Sequence, residues 1–321
     1  MNQQPANEVN DVSPSSLSHL IGQRGVIDQV SVALDACQID NRRLDHSMLV
    51  GSPGLGKSQL ASVIALEMAT NFHEVLGQTI SHPSDLNALL LASQDKDIIH
   101  IDECHELPKQ MQTALYLALD KRCLVLSSKN GKSPQTIPLA DFTLLLSTTD
   151  EYGLLQPLRD RCRLVLRFEF YTVEELTTVL LQRTRFLCWN THEELLSQIA
   201  SRSRGTPRLA LRLLQSCRRV ARSQGETTIT GHHLKRACQL EQLQGDLGLG
   251  PTEQKYVQII GDGNSRLNVI ASILGLPART VSQVVEPFLI RAQLLSKDDQ
   301  GKRLLTAEGR EYLASCRSIA N

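Results

Sequence analysis

The stretch Gly51-Ser52-Pro53-Gly54-Leu55-Gly56-Lys57-Ser58 constrains this chain more than any other. It fits G-x-x-x-x-G-K-[ST], the phosphate-binding P-loop, in which glycines let successive backbone N–H groups close around an anion. In such a loop Lys57 reaches the β- and γ-phosphates and the Ser58 hydroxyl sits on Mg²⁺. Ser47-Met48-Leu49-Val50 before it reads as a buried strand, and Ser58 to Ala69 after it is apolar at helical spacing. A strand, a glycine-rich loop and a helix N-terminus in that order suit phosphate, because the helix dipole favours negative charge there.

A second motif lies downstream. Asp97-Ile98-Ile99-His100-Ile101-Asp102-Glu103 is an apolar strand ending in two carboxylates. Alone, it is equally an ordinary strand reaching a solvated turn. Behind a P-loop it reads as the Walker B pattern, with Asp102 serving Mg²⁺ and Glu103 orienting the attacking water. His105 reads as either a site residue or a hydrogen-bonded structural histidine. Phe142 to Thr149 is another buried strand with a hydroxyl-bearing tip, which by itself is an ordinary polar strand end and behind the upstream motifs could sense a γ-phosphate. Arg159, Arg161 and Arg163 then crowd a short stretch, as an arginine finger offered to a neighbouring subunit would, or as surface arginines pairing with Asp160.

The rest of the chain divides by pattern. Met1 to Ser16 is polar and reads as a disordered leader. A helix is expected over Val26–Cys37, a strand over Glu74–Ile80, helices over Ser84–Ser93 and Leu107–Lys121, and a strand over Leu164–Phe168. Cys123–Leu126 and Gln135–Leu139 flank Asn130-Gly131, a strong hairpin turn signal. From Val173 to Gln244 the pattern is helical throughout and rich in arginines that read as mostly solvated, while Arg208, at a helix start close behind Pro207, could face nucleotide. Gln242 to Gly250, with three glycines, reads as a linker. Beyond it, Ile270 to Val281 reads as helix-turn-helix and Leu294 to Leu305 as a hairpin wing, giving a winged helix. Lys297, Lys302 and Arg303 on that wing are expected to touch DNA phosphates.

Composition sets limits. The formal net charge is +0, so a nucleic-acid partner must be met by a local basic surface. None of the eight cysteines forms a C-x-x-C pair, which argues against zinc ribbons and dithiol redox sites. No apolar run approaches the ~18 residues of a membrane span, and the N-terminus lacks a signal-peptide core. The expectation is a cytoplasmic protein without a membrane partner.

Six segments together resemble the RuvB family: the P-loop, Ile101-Asp102-Glu103-Cys104-His105, Pro157-Leu158-Arg159-Asp160-Arg161, Phe168-Glu169-Phe170-Tyr171, Arg204-Gly205-Thr206-Pro207-Arg208 and Glu286-Pro287-Phe288-Leu289-Ile290. They stand in family order from about Leu20 to Leu313. The resemblance implies an α/β AAA+ P-loop core over 17–171, a helical lid over 172–245 and a C-terminal winged helix over 246–321. It implies nucleotide contacts at Gly51, Gly54, Leu55, Gly56, Lys57, Ser58 and Gln59, with Tyr171 on the adenine side. Arg208 would be sensor 2, Thr148 or Thr149 sensor 1, and Arg161, rather than Arg159, the finger in trans. It further implies ATP and Mg²⁺, and a hexameric ring on duplex DNA and four-way junctions that drives branch migration in recombinational repair. A RuvA-type loader would dock on the Asn130 hairpin, a RuvC-type resolvase would assist, and the assembly would sit on the bacterial nucleoid. The chain departs from the family pattern at Ser13-Pro14, Asp150 and Gln300. A clamp-loader-like ATPase switch has some support from Arg161-Cys162 but lacks a winged helix. A non-hydrolysing DNA-bound regulatory subunit is opposed by the intact Lys57, Asp102, Glu103 and Arg161.

Overall fold

The computed structural model describes residues 13–126 and 135–320. The chain forms two bodies, one ending at Tyr171 and the other beginning at Thr172. In the first, α1 (Arg24–Ile39) precedes β1 (Ser47–Val50), α2 (Lys57–Glu67), β2 (Phe72–Leu76), α3 (Pro83–Ala92), β3 (Ile98–Asp102) and α4 (Lys109–Lys121). Next come β4 (Cys123–Leu126), β5 (Gln135–Pro138), β6 (Thr143–Thr148), the short α5 (Gln156–Arg159) and β7 (Leu164–Arg167).

Five of these strands form one parallel sheet in the order β2-β3-β6-β1-β7. Its strands are apolar on both sides because both faces are covered. Leu49, Ile98, Leu145 and Leu166 pack with α1 and α2 on one face; Met48, Ile99, Ile101, Leu144 and Leu146 pack with α3 and α4 on the other. Parallel strands end together, so β1, β3 and β6 deliver their C-terminal residues to one edge. The expected strand over Glu74–Ile80 starts two residues earlier and stops at Leu76, where the chain turns into a 3-10 helix at Gly77–Thr79. The hairpin pairs Cys123 with Pro138 and Leu126 with Gln135, while Asn130-Gly131 lies outside the described residues. So do residues 1–12 of the leader; at its described end the Ser16 hydroxyl donates to Glu67 Oε1 at 2.8 Å.

The second body starts with α6 (Val173–Phe186), whose N-terminus is closed by a reciprocal Thr172–Glu175 capping box. After β8 (Asn190–Thr191) come α7 (Glu193–Ser201), α8 (Pro207–Ser223), β9 (Thr228–Ile229) and α9 (Gly231–Leu240). The region is therefore not wholly helical: β8 and β9 pair in parallel. Two-residue strands are too short to leave a periodicity in the sequence. Then follow α10 (Pro251–Gly261), α11 (Leu267–Leu274), α12 (Ala278–Thr280), a π turn at Val281–Val285, α13 (Glu286–Arg291), the wing strands β10 (Leu295–Lys297) and β11 (Arg303–Leu305), and α14 (Ala307–Ala320).

The Gln242–Gly250 segment is packed rather than loose. Gln244 and Leu249 form an antiparallel bridge, and Leu249 is buried. Arg204, at the foot of α8, clasps Glu253 of α10 with both arms, at 2.8 and 3.1 Å, and its guanidinium lies 4.8 Å from the Phe288 ring centre. Arg202 pairs with Asp246.

The wing is built around a buried carboxylate. Glu286 is 0% exposed, and it accepts from Tyr256 at 2.9 Å, Arg303 Nε at 2.9 Å and Lys297 Nζ at 2.6 Å. Two of the three expected phosphate-contacting cations thus point at a buried carboxylate, which must be neutralised to stay ionised. Burial works to raise the Glu286 carboxyl, and hydrogen bonds from Arg303, Lys297 and Tyr256 outweigh it, leaving it below the ordinary carboxylate range. Lys302 stands exposed. Glu286→Ala, which leaves Arg303 and Lys297 without their shared partner, should cost about 3 kcal/mol in urea unfolding followed by near-ultraviolet circular dichroism. Unchanged stability would mean that the wing is held by packing alone.

Candidate functional site

The P-loop leaves β1 at its C-terminal end and enters α2 at Lys57. Two glycines have no substitute. A Cβ on Gly51 would lie 2.8 Å from Phe168 Cβ, and Gly56 holds φ +98°, a left-handed value that side chains resist. The Lys57 ammonium is folded onto the loop, donating to the carbonyls of Gly51 at 2.8 Å and Ser52 at 3.2 Å. Its side chain is 6% exposed, so this cation waits inside the cradle that a phosphate would fill. Leu55 faces inward into the core, leaving its backbone for a ligand, and Gln59 is half-buried in the first turn of α2. Tyr171 donates its hydroxyl to the Leu55 carbonyl at 3.3 Å.

The acidic pair meets this loop directly. Ser58 Oγ donates to Asp102 Oδ2 at 2.8 Å, and Asp102 Oδ1 accepts the Glu103 N–H at 2.9 Å. A hydroxyl and a carboxylate at hydrogen-bond distance are hard oxygen donors of the kind Mg²⁺ takes, with phosphate and water completing the shell. Glu103 turns out of the strand at φ +48°, a conformation typical of strained functional positions, and its Oε2 is buried without a hydrogen bond. Thr148, paired in register with Val50, brings its hydroxyl to the same edge; Thr149 is exposed.

Arg161 lies elsewhere. It precedes β7, whose first residue pairs with Ser47 at the start of β1, while the P-loop follows the end of β1. The parallel register therefore sets Arg161 at the opposite edge of the sheet from Lys57 of its own chain. Its guanidinium is clasped by Asp120 of α4, with Nε 2.8 Å from Oδ1, and Nη1 donates to the Pro157 carbonyl at 2.8 Å. The hydrogen bond from Arg161 holds the Asp120 carboxyl below its usual range. Arg159 instead stacks over Tyr152, 5.1 Å from the ring centre. Arg208 is the second residue of α8, exposed, in the other body.

Two residues, one at each end of the sheet, escaped sequence reasoning. Asp120 gave no local signal, since its partner lies 41 positions away. His100 did give one, as an imidazole inside an apolar strand. It is fully buried, with Nδ1 3.0 Å from Glu74 Oε1 and Nε2 2.7 Å from Ser147 Oγ, and burial holds its pKa down. It ties β2, β3 and β6 together below the acidic pair.

Known proteins share this domain order. Residues 12–168 match the family model described as the Holliday junction DNA helicase RuvB P-loop domain. Residues 171–244 match the RuvB AAA lid domain, and 246–314 the RuvB C-terminal winged helix domain. A Holliday junction branch migration complex subunit RuvB from Kosmotoga olearia is 34% identical over 310 residues, covering 95% of this chain and 90% of the relative. One from Prochlorococcus marinus is 35% identical over 315 residues, covering 96% and 89%. The solved Thermotoga maritima RuvB Holliday junction branch migration motor superposes with a TM-score of 0.81 at 32% identity, covering 94% of this chain and 97% of that one. With a P-loop domain, a lid and a winged helix each matched and relatives aligned along nearly its whole length, the chain belongs to the RuvB family of AAA+ ATPases.

Proposed function

We propose that this chain is an ATP-driven motor for branch migration of four-way DNA junctions in recombinational repair, working as a homohexameric ring. The observation that carries the reading is the split of the machinery between two edges of one sheet. Lys57, Ser58, Asp102, Glu103 and Thr148 share one edge, and Arg161 stands at the other. A site built this way is completed by a second copy, which is what a ring supplies.

In this reading the P-loop amides and Lys57 hold the triphosphate, and Ser58 and Asp102 hold Mg²⁺, which supplies charge neutralisation on the phosphates when bound. Glu103 takes the proton of the attacking water, Thr148 senses the γ-phosphate, and the neighbour's Arg161 stabilises the charge that develops on it. Arg208 serves as the lid's contact to nucleotide, and Tyr171 lines the adenine. Lys302 contacts DNA phosphate, while Lys297 and Arg303 chiefly hold the wing in place. A RuvA-type junction-binding protein on the β4–β5 hairpin and a RuvC-type resolvase are the protein partners, in the bacterial cytoplasm and on the nucleoid. No helix among the described residues is long and apolar enough to cross a membrane.

Lys57→Ala should abolish ATP binding in equilibrium dialysis. Glu103→Gln should bind ATP normally and hydrolyse it at least a hundredfold more slowly; normal turnover would remove Glu103 from the mechanism. Arg161→Ala should be inactive alone and regain hydrolysis when mixed with Lys57→Ala, because each supplies what the other lacks. Failure of that mixture to recover would exclude a finger acting in trans. Hydrolysis by the wild-type chain should rise when four-way-junction DNA and a RuvA-type protein are added together, and a rate indifferent to both would argue for a switch rather than a motor.

A further inference from the structure

His105 lies in the 3-10 turn Cys104–Glu106, just past the acidic pair, and its ring reaches both groups that hydrolysis needs to coordinate. Nδ1 is 3.2 Å from Thr148 Oγ1 and 3.4 Å from Glu103 Oε2; Nε2 is 3.4 Å from Glu106 Oε1. Counting protons favours one direction for the first contact. A threonine hydroxyl has one hydrogen and two lone pairs. Thr148 donates that hydrogen to the Asp150 carbonyl at 3.0 Å and accepts the Asp150 N–H at 3.0 Å. In that arrangement the oxygen offers His105 a lone pair, and the tautomer that suits it carries its hydrogen on Nδ1. The same N–H faces Glu103 Oε2, the buried carboxylate oxygen that makes no hydrogen bond. One donor thus faces two acceptors.

We propose that His105 is a positioning residue that passes this single N–H between the sensor and the base. The inference rests on the reading of Thr148 as sensor and Glu103 as base. With Thr148 held by the Asp150 backbone, His105 is engaged by the threonine, and the Glu103 carboxylate has no anchor. When the Thr148 hydroxyl turns to a γ-phosphate, its lone pair leaves the imidazole. The Nδ1–H then closes on Glu103 Oε2. That fixes the carboxylate plane and leaves Oε1 to accept the proton of the attacking water. No proton moves in this exchange; one hydrogen bond is traded for another. The base is therefore aligned only when there is a phosphate to attack.

The test uses the full chain with His105→Phe, which keeps a ring but no donor, and His105→Asn, whose amide N–H lies close to where Nδ1 does. His105→Phe should lower kcat for ATP by about ten- to a hundredfold, the worth of a hydrogen bond to a charged group, with KM and ATP affinity within about twofold. His105→Asn should recover most of that loss. In single-turnover measurements, adding His105→Phe to Glu103→Gln should change the residual rate no further, since the two act as one unit. A fall in ATP affinity matching the fall in kcat, a failure of His105→Asn to recover, or an additive loss in the Glu103→Gln background would overturn the inference. An inactive Glu103→Gln beside an unimpaired His105→Phe would overturn the link alone. Normal turnover by Glu103→Gln would overturn the base reading and the link with it.

Discussion

A hydrogen bond from the Ser58 hydroxyl to Asp102 joins two segments 44 positions apart, and the catalytic edge is organised around it. It requires that β1 and β3 end at the same height, although β6 lies between them in the sheet. Parallel pairing supplies that alignment through the backbone, and the buried leucines and isoleucines on both faces hold the register, since a slip by one residue would turn each of them to the wrong side. The apolar core and the oxygens proposed to hold magnesium are in this sense one construction. Disturbing either displaces the other.

Among the described residues, several buried polar groups in and around the sheet have their hydrogen bonds satisfied. His100 has a partner on each nitrogen, Thr143 donates to the Leu44 carbonyl at 2.8 Å, and Gln112 donates to the Leu107 carbonyl while accepting from the Leu155 N–H. Such groups would be costly if left unpaired, and here they stiffen the sheet. Glu103 Oε2 is not paired in this way, at the point where the proposed chemistry needs a movable carboxylate. A group with an anchor within reach but not engaged can change its orientation at little cost. The neighbouring thiol has no such freedom: burial pushes Cys104 far above the ordinary cysteine range, so it packs as an apolar side chain.

What could be read from the sequence was what acts over short distances. The P-loop, the acidic pair and the winged-helix turn each carry their chemistry within a dozen residues, and each sits where the pattern placed it. The boundaries of β2 slipped because Phe72 and His73 carry strand character that the Glu74–Ile80 window left out. The glycines of the 242–250 segment suggested slack because composition speaks of backbone freedom and is silent about Leu249 finding a core. The wing arginine and lysines read as a phosphate-facing set because nothing local announces that Glu286, a helix away, will be buried and in need of cations. Asp120 was hidden for the same reason. Long-range ion pairs are decided by topology, which a linear pattern does not contain.

The clasp of Arg204 on Glu253 and Phe288 has a mechanical meaning. A flexible strap between lid and winged helix would behave as a soft spring, and rotation of one would be absorbed before reaching the other. With Leu249 sunk in the core, and charged and aromatic contacts bracing the joint, that compliance is removed. Any rotation of α8 would pass to the winged helix with less loss than a free glycine strap allows.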